Sequence, residues 1–416
     1  MNDLLIAYRL LRKKFKAGMF SKDFYEAFSY VEEKAFFKDL VYGVLRRQEY
    51  LDWVVNKFLR KKDIPPSIRT ILRIGAYLIL FTNIPNYAVV NETVNLVEKQ
   101  SFRKLVNAIL RNITKIPYLE HPKELYLKYS VPKWLLEYWK KFLPNDYLYS
   151  MLEYNLIPIK TSARVNKRKL TREQLNLENI KYTAHSPIGI IFETFNISPW
   201  ELKEYIKGDI TYQSESSQLI PLLIDFNKDE FILDACSAPG GKATEILELS
   251  DVKLYVNDID ASRIELVRNQ FKRLNLRAEK FTIKDARKLN FDFKFDKILV
   301  DAPCSSLGTA RRNPEVLRRQ SPKNIKFLSS LQKEILTNIW TLLKQKGLLV
   351  YSTCTVTYEE NTMNVKWLVE EKGGKIIDIR DKLENFKVKY LWDGYGALFY
   401  PDENLTPFYV SIILKE

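Results

Sequence analysis

A chain of 416 residues exceeds what one hydrophobic core usually organises, so two or three domains are expected. Hydrophobic residues make up 46% and charged residues 28%, as in an ordinary soluble globular protein, and no apolar run reaches the length of a membrane-spanning helix. The net charge of +15 is unevenly placed: residues 1–130 hold 23 Lys or Arg against 13 Asp or Glu, a surplus of 10, and this concentration implies a docking surface for a polyanion.

Residues 1–125 read as a helical domain. Apolar positions recur at three- and four-residue spacing, as at Phe36, Leu40 and Val44 and again at Ile71, Ile74 and Leu78. Turns are expected at Pro65–Pro66, Pro85–Asn86 and Pro117. The apolar stretch from Thr70 to Phe81 is short and carries Arg73, so it reads as a buried helix. The basic cluster Arg12, Lys13, Lys14 and Lys16 follows the first apolar residues, the reverse of a signal peptide, and a cytoplasmic protein is expected. Helical character around Trp134 to Phe142 forms a transition ending at Pro144.

From about 155 the pattern changes. Strands are expected over 158–165 and 188–195, with a short helix over 171–177, giving a small α/β unit. After Gly208 apolar runs alternate with amphipathic segments. Phe231 to Ala235, Leu254 to Val256, Lys297 to Val300 and Leu348 to Ser352 are buried-strand candidates, and Ile325 to Leu342 is the clearest helix. This alternation implies a parallel sheet covered on both faces. Ala397 to Tyr400 and Phe408 to Leu414 read as two strands forming an antiparallel edge of that sheet. The boundaries are 1–125, 126–207 and 208–416.

Ligands of such sheets bind beyond the carboxyl ends of the strands. The first loop there is Asp234-Ala-Cys-Ser-Ala-Pro-Gly-Gly-Lys242, where Gly240 and Gly241 permit close backbone approach to a ligand. It matches neither the dinucleotide nor the nucleoside-triphosphate pattern. Asp258, at the end of the second strand, is placed to accept from ribose hydroxyls, while Asp260 reads as the cap of the next helix. Asp285 follows the third strand and is a candidate for an adenine amino group. Asp301-Ala-Pro-Cys304 and Tyr351-Ser-Thr-Cys354 end the fourth and fifth. The three cysteines (Cys236, Cys304, Cys354) form no CxxC pair, which excludes a disulfide framework. With only His121 and His185, neither a zinc site nor histidine catalysis is expected, and no metal is assigned. Two cysteines at the ligand end of adjacent strands point instead to thiol chemistry.

The strings DACSAPGGK, NDID, DAPCSSLGTARRNPE and STCTVTYEEN, in that order, closely resemble the RNA cytosine-5 methyltransferase superfamily. GDITYQSESSQ (208–218) and Arg164-Val-Asn166 are similar to its lead-in and preceding small domain. Lys38–Gly43, Ile84–Glu92 and Leu105–Arg111 resemble the NusB-type RNA-binding domain found in the bacterial 16S rRNA (cytosine-5) methyltransferase B subgroup. The resemblance implies a multidomain fold: an all-α NusB-like domain, a small ferredoxin- or RRM-like α/β domain, and a Rossmann-like class I methyltransferase domain with a mostly parallel seven-stranded sheet.

It also implies S-adenosylmethionine as cofactor, held by Ala235, Cys236, Ser237, Ala238, Pro239, Gly240, Gly241, Lys242, Asp258, Asp285 and Asp301. Cys354 is then the nucleophile, Cys304 the base for release, and Asp301 and Lys242 assist at the reacting base. The implied partner is 16S rRNA, free or in an early small-subunit particle, bound by a monomer. Ser214, Glu215, Asn313 and the segment after Glu315 depart from the family pattern on the target-binding side. The same chemistry on tRNA or another rRNA position, or an inactive RNA-binding assembly factor, stays open. DNA methylation is disfavoured by Cys354.

Overall fold

The structure, a computed structural model, describes residues 2–13, 19–60, 63–116, 121–193 and 201–416. The expected features at Lys14, Lys16, Pro117 and the last two positions of the 188–195 strand lie outside these residues. The chain forms two compact units, Met1–Ile157 with Ala310–Arg319, and Pro158–Thr309 with Gln320–Glu416.

The first unit is helical, as its periodicity requires. It runs through α1 (Asn2–Leu11), α2 (Met19–Ser29), α3 (Lys34–Arg46), α4 (Gln48–Asn56), α5 (Pro66–Phe81), α6 (Asn86–Asn95), α7 (Gln100–Ile113), α8 (Leu125–Lys128), α9 (Lys133–Trp139) and α10 (Asn145–Asn155). Pro66 opens α5, where its missing N–H costs nothing. Leu40, Val44, Ile71, Ile74 and Leu78 share one buried core. Gly75 lets α5 cross α7 closely, since a Cβ there would lie 2.6 Å from the Leu110 side chain. Arg73, the charge inside the apolar stretch, is satisfied by both carboxylate oxygens of Asp52 at 2.8 and 2.6 Å. Residues 310–319 belong to this unit through Arg318, which pairs with Glu49 and donates to the carbonyls of Leu45 (2.7 Å) and Ser130 (3.2 Å).

In the second unit, β1 (Ser162–Val165), β2 (Ile180–Tyr182) and β3 (Gly189–Phe192), followed by α11 (Lys203–Ile206) and β4 (Ile210–Tyr212), build a four-stranded antiparallel sheet of order β2-β3-β1-β4. The helix expected over 171–177 is absent. That stretch forms successive turns, with Thr171 N–H held by Gln174 Oε1 at 2.8 Å and Leu175 inserted into the sheet's core. A seven-residue segment gains too little from its own helical bonds to resist that packing. β2 escaped the sequence reading because its residues are largely exposed and lack an apolar run.

Next come α12 (Glu215–Leu222), β5 (Phe231–Asp234), α13 (Gly241–Leu249), β6 (Lys253–Asp258), α14 (Ala261–Leu274), β7 (Lys280–Ile283) and β8 (Phe295–Asp301). After α15 (Val316–Arg319), which belongs to the first unit, they are followed by α16 (Pro322–Leu342), β9 (Leu343–Thr353), α17 (Thr362–Lys372), β10 (Gly374–Ile376), α18 (Arg380–Asn385), β11 (Tyr390–Trp392), β12 (Ala397–Phe399) and β13 (Tyr409–Lys415). The sheet reads β11-β12-β13-β9-β8-β5-β6-β7. From β9 to β7 neighbours are parallel, whereas β13 runs antiparallel to β9 with Tyr409 opposite Thr353. The expected seven-stranded body is present, with the three-residue strands β10 and β11 added to it. β13 sits inside the sheet, which its almost wholly buried residues allow.

Capping follows the sequence. Asp260 accepts from the Ser262 and Arg263 N–H groups, Ser321 caps α16, and Asn275 closes α14 in the left-handed conformation.

Candidate active site

The carboxyl ends of β5, β6, β8 and β9 place the reactive side chains. After β5 the loop is tied down by main-chain bonds: Ala235 N–H to Leu299 O, Ser237 N–H to Asn257 O, and Gly240 N–H to Ser237 O. Gly240 has φ +97°, and a Cβ there would lie 2.9 Å from Val267, so only glycine fits without displacement. Asp258 is buried and accepts from Ala238 N–H at 3.2 Å, with Arg263 at 3.4 Å.

Two buried acceptors face this loop without a partner, Asp234 Oδ1 and Ser237 Oγ. Burial raises the Asp234 carboxyl to about 7, although the nearby Ser237 hydroxyl acts to lower it. Unpaired buried acceptors are costly until a donor arrives. A buried acid, a second carboxylate at Asp258 and a close backbone turn fit a cationic, hydroxyl-bearing ligand such as S-adenosylmethionine. Asp285 follows β7, next to Lys284, whose N–H donates to Asp258 O at 3.2 Å. It forms a two-pronged pair with Arg287, whose hydrogen bond depresses its carboxyl.

Lys242 and Asp301 meet at 2.6 Å, from α13 and the end of β8. Burial opposes the Lys242 charge, but the Asp301 carboxylate more than offsets it and holds the ammonium above its ordinary value. Asp301 also accepts from Ser352 Oγ at 3.2 Å.

Cys304 and Cys354 lie 3.4 Å apart, sulfur to sulfur. The pair is polarised. The hydrogen bond from Cys304 lowers the Cys354 thiol, helped by Ser306 and Lys242 against burial and Asp301. The same hydrogen bond, together with burial, pushes Cys304 well above its usual range. The arrangement therefore favours a Cys354 thiolate accepting from a Cys304 thiol. Ser306, beside them, adopts φ +59°, a left-handed conformation unusual for a residue with a side chain. Burial raises the third cysteine, Cys236, far above any useful range, so its thiol stays protonated.

The structure thus brings Cys304, Cys354, Asp301, Lys242 and the 235–241 loop to one sheet end. Sequence reasoning gave no role to Asp234, Ser306 or the buried Glu360. For Glu360 the available signal was the dense polar run that follows Cys354, Thr355-Val-Thr-Tyr-Glu-Glu-Asn361. Among the described residues, no group of three or more His, Cys, Asp or Glu could hold a metal, and no helix is long and apolar enough to cross a membrane.

Comparison with known proteins agrees with this geometry. Residues 221–414 match the family model of the 16S rRNA methyltransferases RsmB/F, and residues 12–115 that of the NusB family. The chain is 32% identical over 359 residues to the ribosomal RNA small subunit methyltransferase B of Escherichia fergusonii, covering 80% of this chain and 81% of that protein. Its fold resembles the crystal structure of PH0851, with a TM-score of 0.79 at 24% identity over 100% of this chain and 98% of that one. It also resembles that of NSun6 from Pyrococcus horikoshii, solved with SFG, with a TM-score of 0.59 at 23% identity over 68% of this chain and 98% of that one. The chain belongs to the RsmB/F family of 16S rRNA methyltransferases: it is an S-adenosylmethionine-dependent rRNA methyltransferase that carries a NusB-family helical domain.

Proposed function

We propose that this chain methylates carbon 5 of a cytosine in small-subunit rRNA through a covalent bond between Cys354 and carbon 6. The observation that carries the reading is the polarised cysteine pair at 3.4 Å beside the Lys242–Asp301 ion pair. Carbon 5 of cytosine is a weak nucleophile. Addition of the Cys354 thiolate to carbon 6 forms a C–S bond and opens the 5,6 double bond, which leaves carbon 5 enamine-like.

Asp301 engages the N3/N4 edge of the base, and Lys242 balances the charge that develops in the ring. S-adenosylmethionine, when bound, supplies the electrophilic methyl group that carbon 5 takes up. With Cys354 bonded to carbon 6, Cys304 no longer faces a thiolate and can release its proton to solvent; the Cys304 thiolate then removes the carbon 5 proton. That electron pair restores the double bond, and Cys354 departs as thiolate.

The target base must leave its stack to reach such a site, which favours an accessible nucleotide in rRNA or an early particle. The basic helical domain supplies the RNA contact. In this reading the enzyme acts as a monomer in the cytoplasm.

The test is transfer of labelled methyl from S-adenosylmethionine to unmethylated small-subunit rRNA. Wild type transfers, Cys354→Ala does not, and Cys304→Ala accumulates a protein–RNA adduct. Retained activity in Cys354→Ala overturns the nucleophile assignment. Inert wild type on this RNA, with transfer to tRNA, overturns the substrate.

A further inference from the structure

The proposed chemistry requires two sulfurs on separate loops to stay in hydrogen-bond contact. One buried carboxylate accepts from both loops. Glu360 follows the Cys354 loop and is fully buried. Its Oε1 accepts from the Ser305 N–H at 2.8 Å and from Gln332 Nε2 at 3.0 Å. Its Oε2 accepts from Ser305 Oγ at 2.5 Å and Thr357 Oγ1 at 2.9 Å. Ser305 is the residue after Cys304, and Thr355, the residue after Cys354, lies 2.5 Å from Ser305 Oγ.

Neighbouring bonds close the same bracket. Gln332 Nε2 also donates to Pro303 O at 2.9 Å, and Gly308 N–H to Cys354 O at 3.0 Å. Tyr351 Oη donates to Glu360 O at 2.6 Å, which anchors the glutamate to β9.

A buried carboxylate is expensive, and the four donors named here are all neutral. Burial accordingly raises the Glu360 carboxyl, against the pull of Ser305. An amide would avoid that cost, but it accepts at one atom only. A carboxylate accepts at both, which is what binding donors from two loops demands.

We propose that Glu360 is a positioning residue of methyl transfer: by accepting simultaneously from the Cys304 and Cys354 loops, it holds the two sulfurs at the separation where the Cys304 thiol donates to Cys354. The Cys354 nucleophile depends on that donation, and a displacement of either loop by about an ångström removes it. The inference rests on the assignment of Cys354 as nucleophile under the proposed function. Asp301, Lys242, Ser306 and Cys304 are the other groups bearing on Cys354, and none of them spans the two loops in this way.

The experiment compares wild type with Glu360→Gln, Glu360→Ala and Ser305→Ala in the full chain. It reads the pH dependence of Cys354 alkylation by iodoacetamide, located by peptide mass spectrometry. Thermal unfolding and the affinity for S-adenosylmethionine report whether the fold is retained. In Glu360→Ala the alkylation midpoint is expected to move up by about one pH unit. Its kcat is expected to fall by roughly tenfold or more, with the KM for RNA and the cofactor affinity within about twofold of wild type. Glu360→Gln, which keeps one acceptor, falls between. Ser305→Ala, which leaves no buried charge newly isolated, shifts the midpoint in the same direction and serves if the glutamate variants do not fold.

Folded variants with a wild-type alkylation profile and wild-type kcat overturn the positioning role. An inert wild type whose alkylation midpoint still shifts in Glu360→Ala upholds it while overturning the substrate reading.

Discussion

The helical unit and the carboxyl end of the methyltransferase sheet treat charge in opposite ways. Among the described residues of the helical unit, buried charged side chains are limited to Asp3, Arg46, Arg311 and Glu315. Its core is otherwise Leu, Ile, Val, Ala and aromatic residues, and cations such as Lys104, Arg111 and Lys115 are exposed. The sheet unit buries Arg164, Asp234, Lys242, Glu245, Glu248, Asp258 and Glu360. Desolvated charge is costly, so its concentration marks where the chain trades stability for chemistry, whereas surface charge on the helices costs little and stays open to a polyanion.

The sharpest way to break that contrast is Arg164→Ala. Arg164 is wholly buried and pairs with both oxygens of Glu248 at 2.9 and 2.7 Å, beside Glu245, whose carboxyl burial raises to about 8. Removing the cation strands two acids and is expected to cost about 3–5 kcal/mol in denaturant unfolding of the sheet unit. A loss below about 1 kcal/mol contradicts a tightly coupled buried network.

Leu72→Ala in the fully buried core of α5 is expected to cost about 2–5 kcal/mol in the helical unit. Chemistry measured below the melting transition stays intact. A fall in kcat there blurs the division of labour.

The exposed cations Lys104, Arg111 and Lys115, on and just after α7, sharpen the encounter side. Reversing all three to Glu is expected to weaken rRNA binding by roughly tenfold or more, with kcat unchanged at saturating RNA. The salt slope falls by about 1 for each phosphate that the chain no longer neutralises. An unaltered salt dependence places the RNA-binding surface elsewhere.

Asp234 gives a pH prediction. Its carboxyl titrates at about 7. A cationic ligand stabilises the carboxylate, so binding releases a proton from the neutral form. Affinity for S-adenosylmethionine is then expected to rise by up to about tenfold per pH unit below about 7 and to level off above it. Asp234→Asn flattens the profile, and a wild-type profile already flat from about pH 5.5 to 7.5 removes Asp234 from the binding site. The smallest effect is Ser321→Ala, which removes the hydroxyl that accepts from Asn324 N–H at the start of α16. It is expected to cost about 1 kcal/mol by thermal unfolding, with no change in methyl transfer.

Much of the site was legible because its motifs are contiguous. Each lies at the end of a buried strand, so reading Phe231 to Ala235 or Leu348 to Ser352 as strands also locates the loops that follow. The short elements were less accessible. β2 has no apolar run to announce it, and residues 171–177 carry a helix-like composition that packing of Leu175 overrides. Asp285 could be placed beyond a strand end, but its engagement with Arg287 depends on a turn that composition does not reveal.

Local order in the chain was thus enough to determine the helical first unit, the alternating strands and helices, the cap at Asp260, and the two cysteines on neighbouring loops. Those features follow from periodicity and from side chains acting on backbone a few residues away. Only the tertiary structure decided that the two sulfurs meet, and in what surroundings. Cys304 and Cys354 are 50 positions apart, and their opposite shifts arise chiefly from a 3.4 Å contact, with Ser306 and a buried lysine favouring the Cys354 thiolate. Electrostatic interaction depends on distance and desolvation in space, which no spacing along the chain specifies.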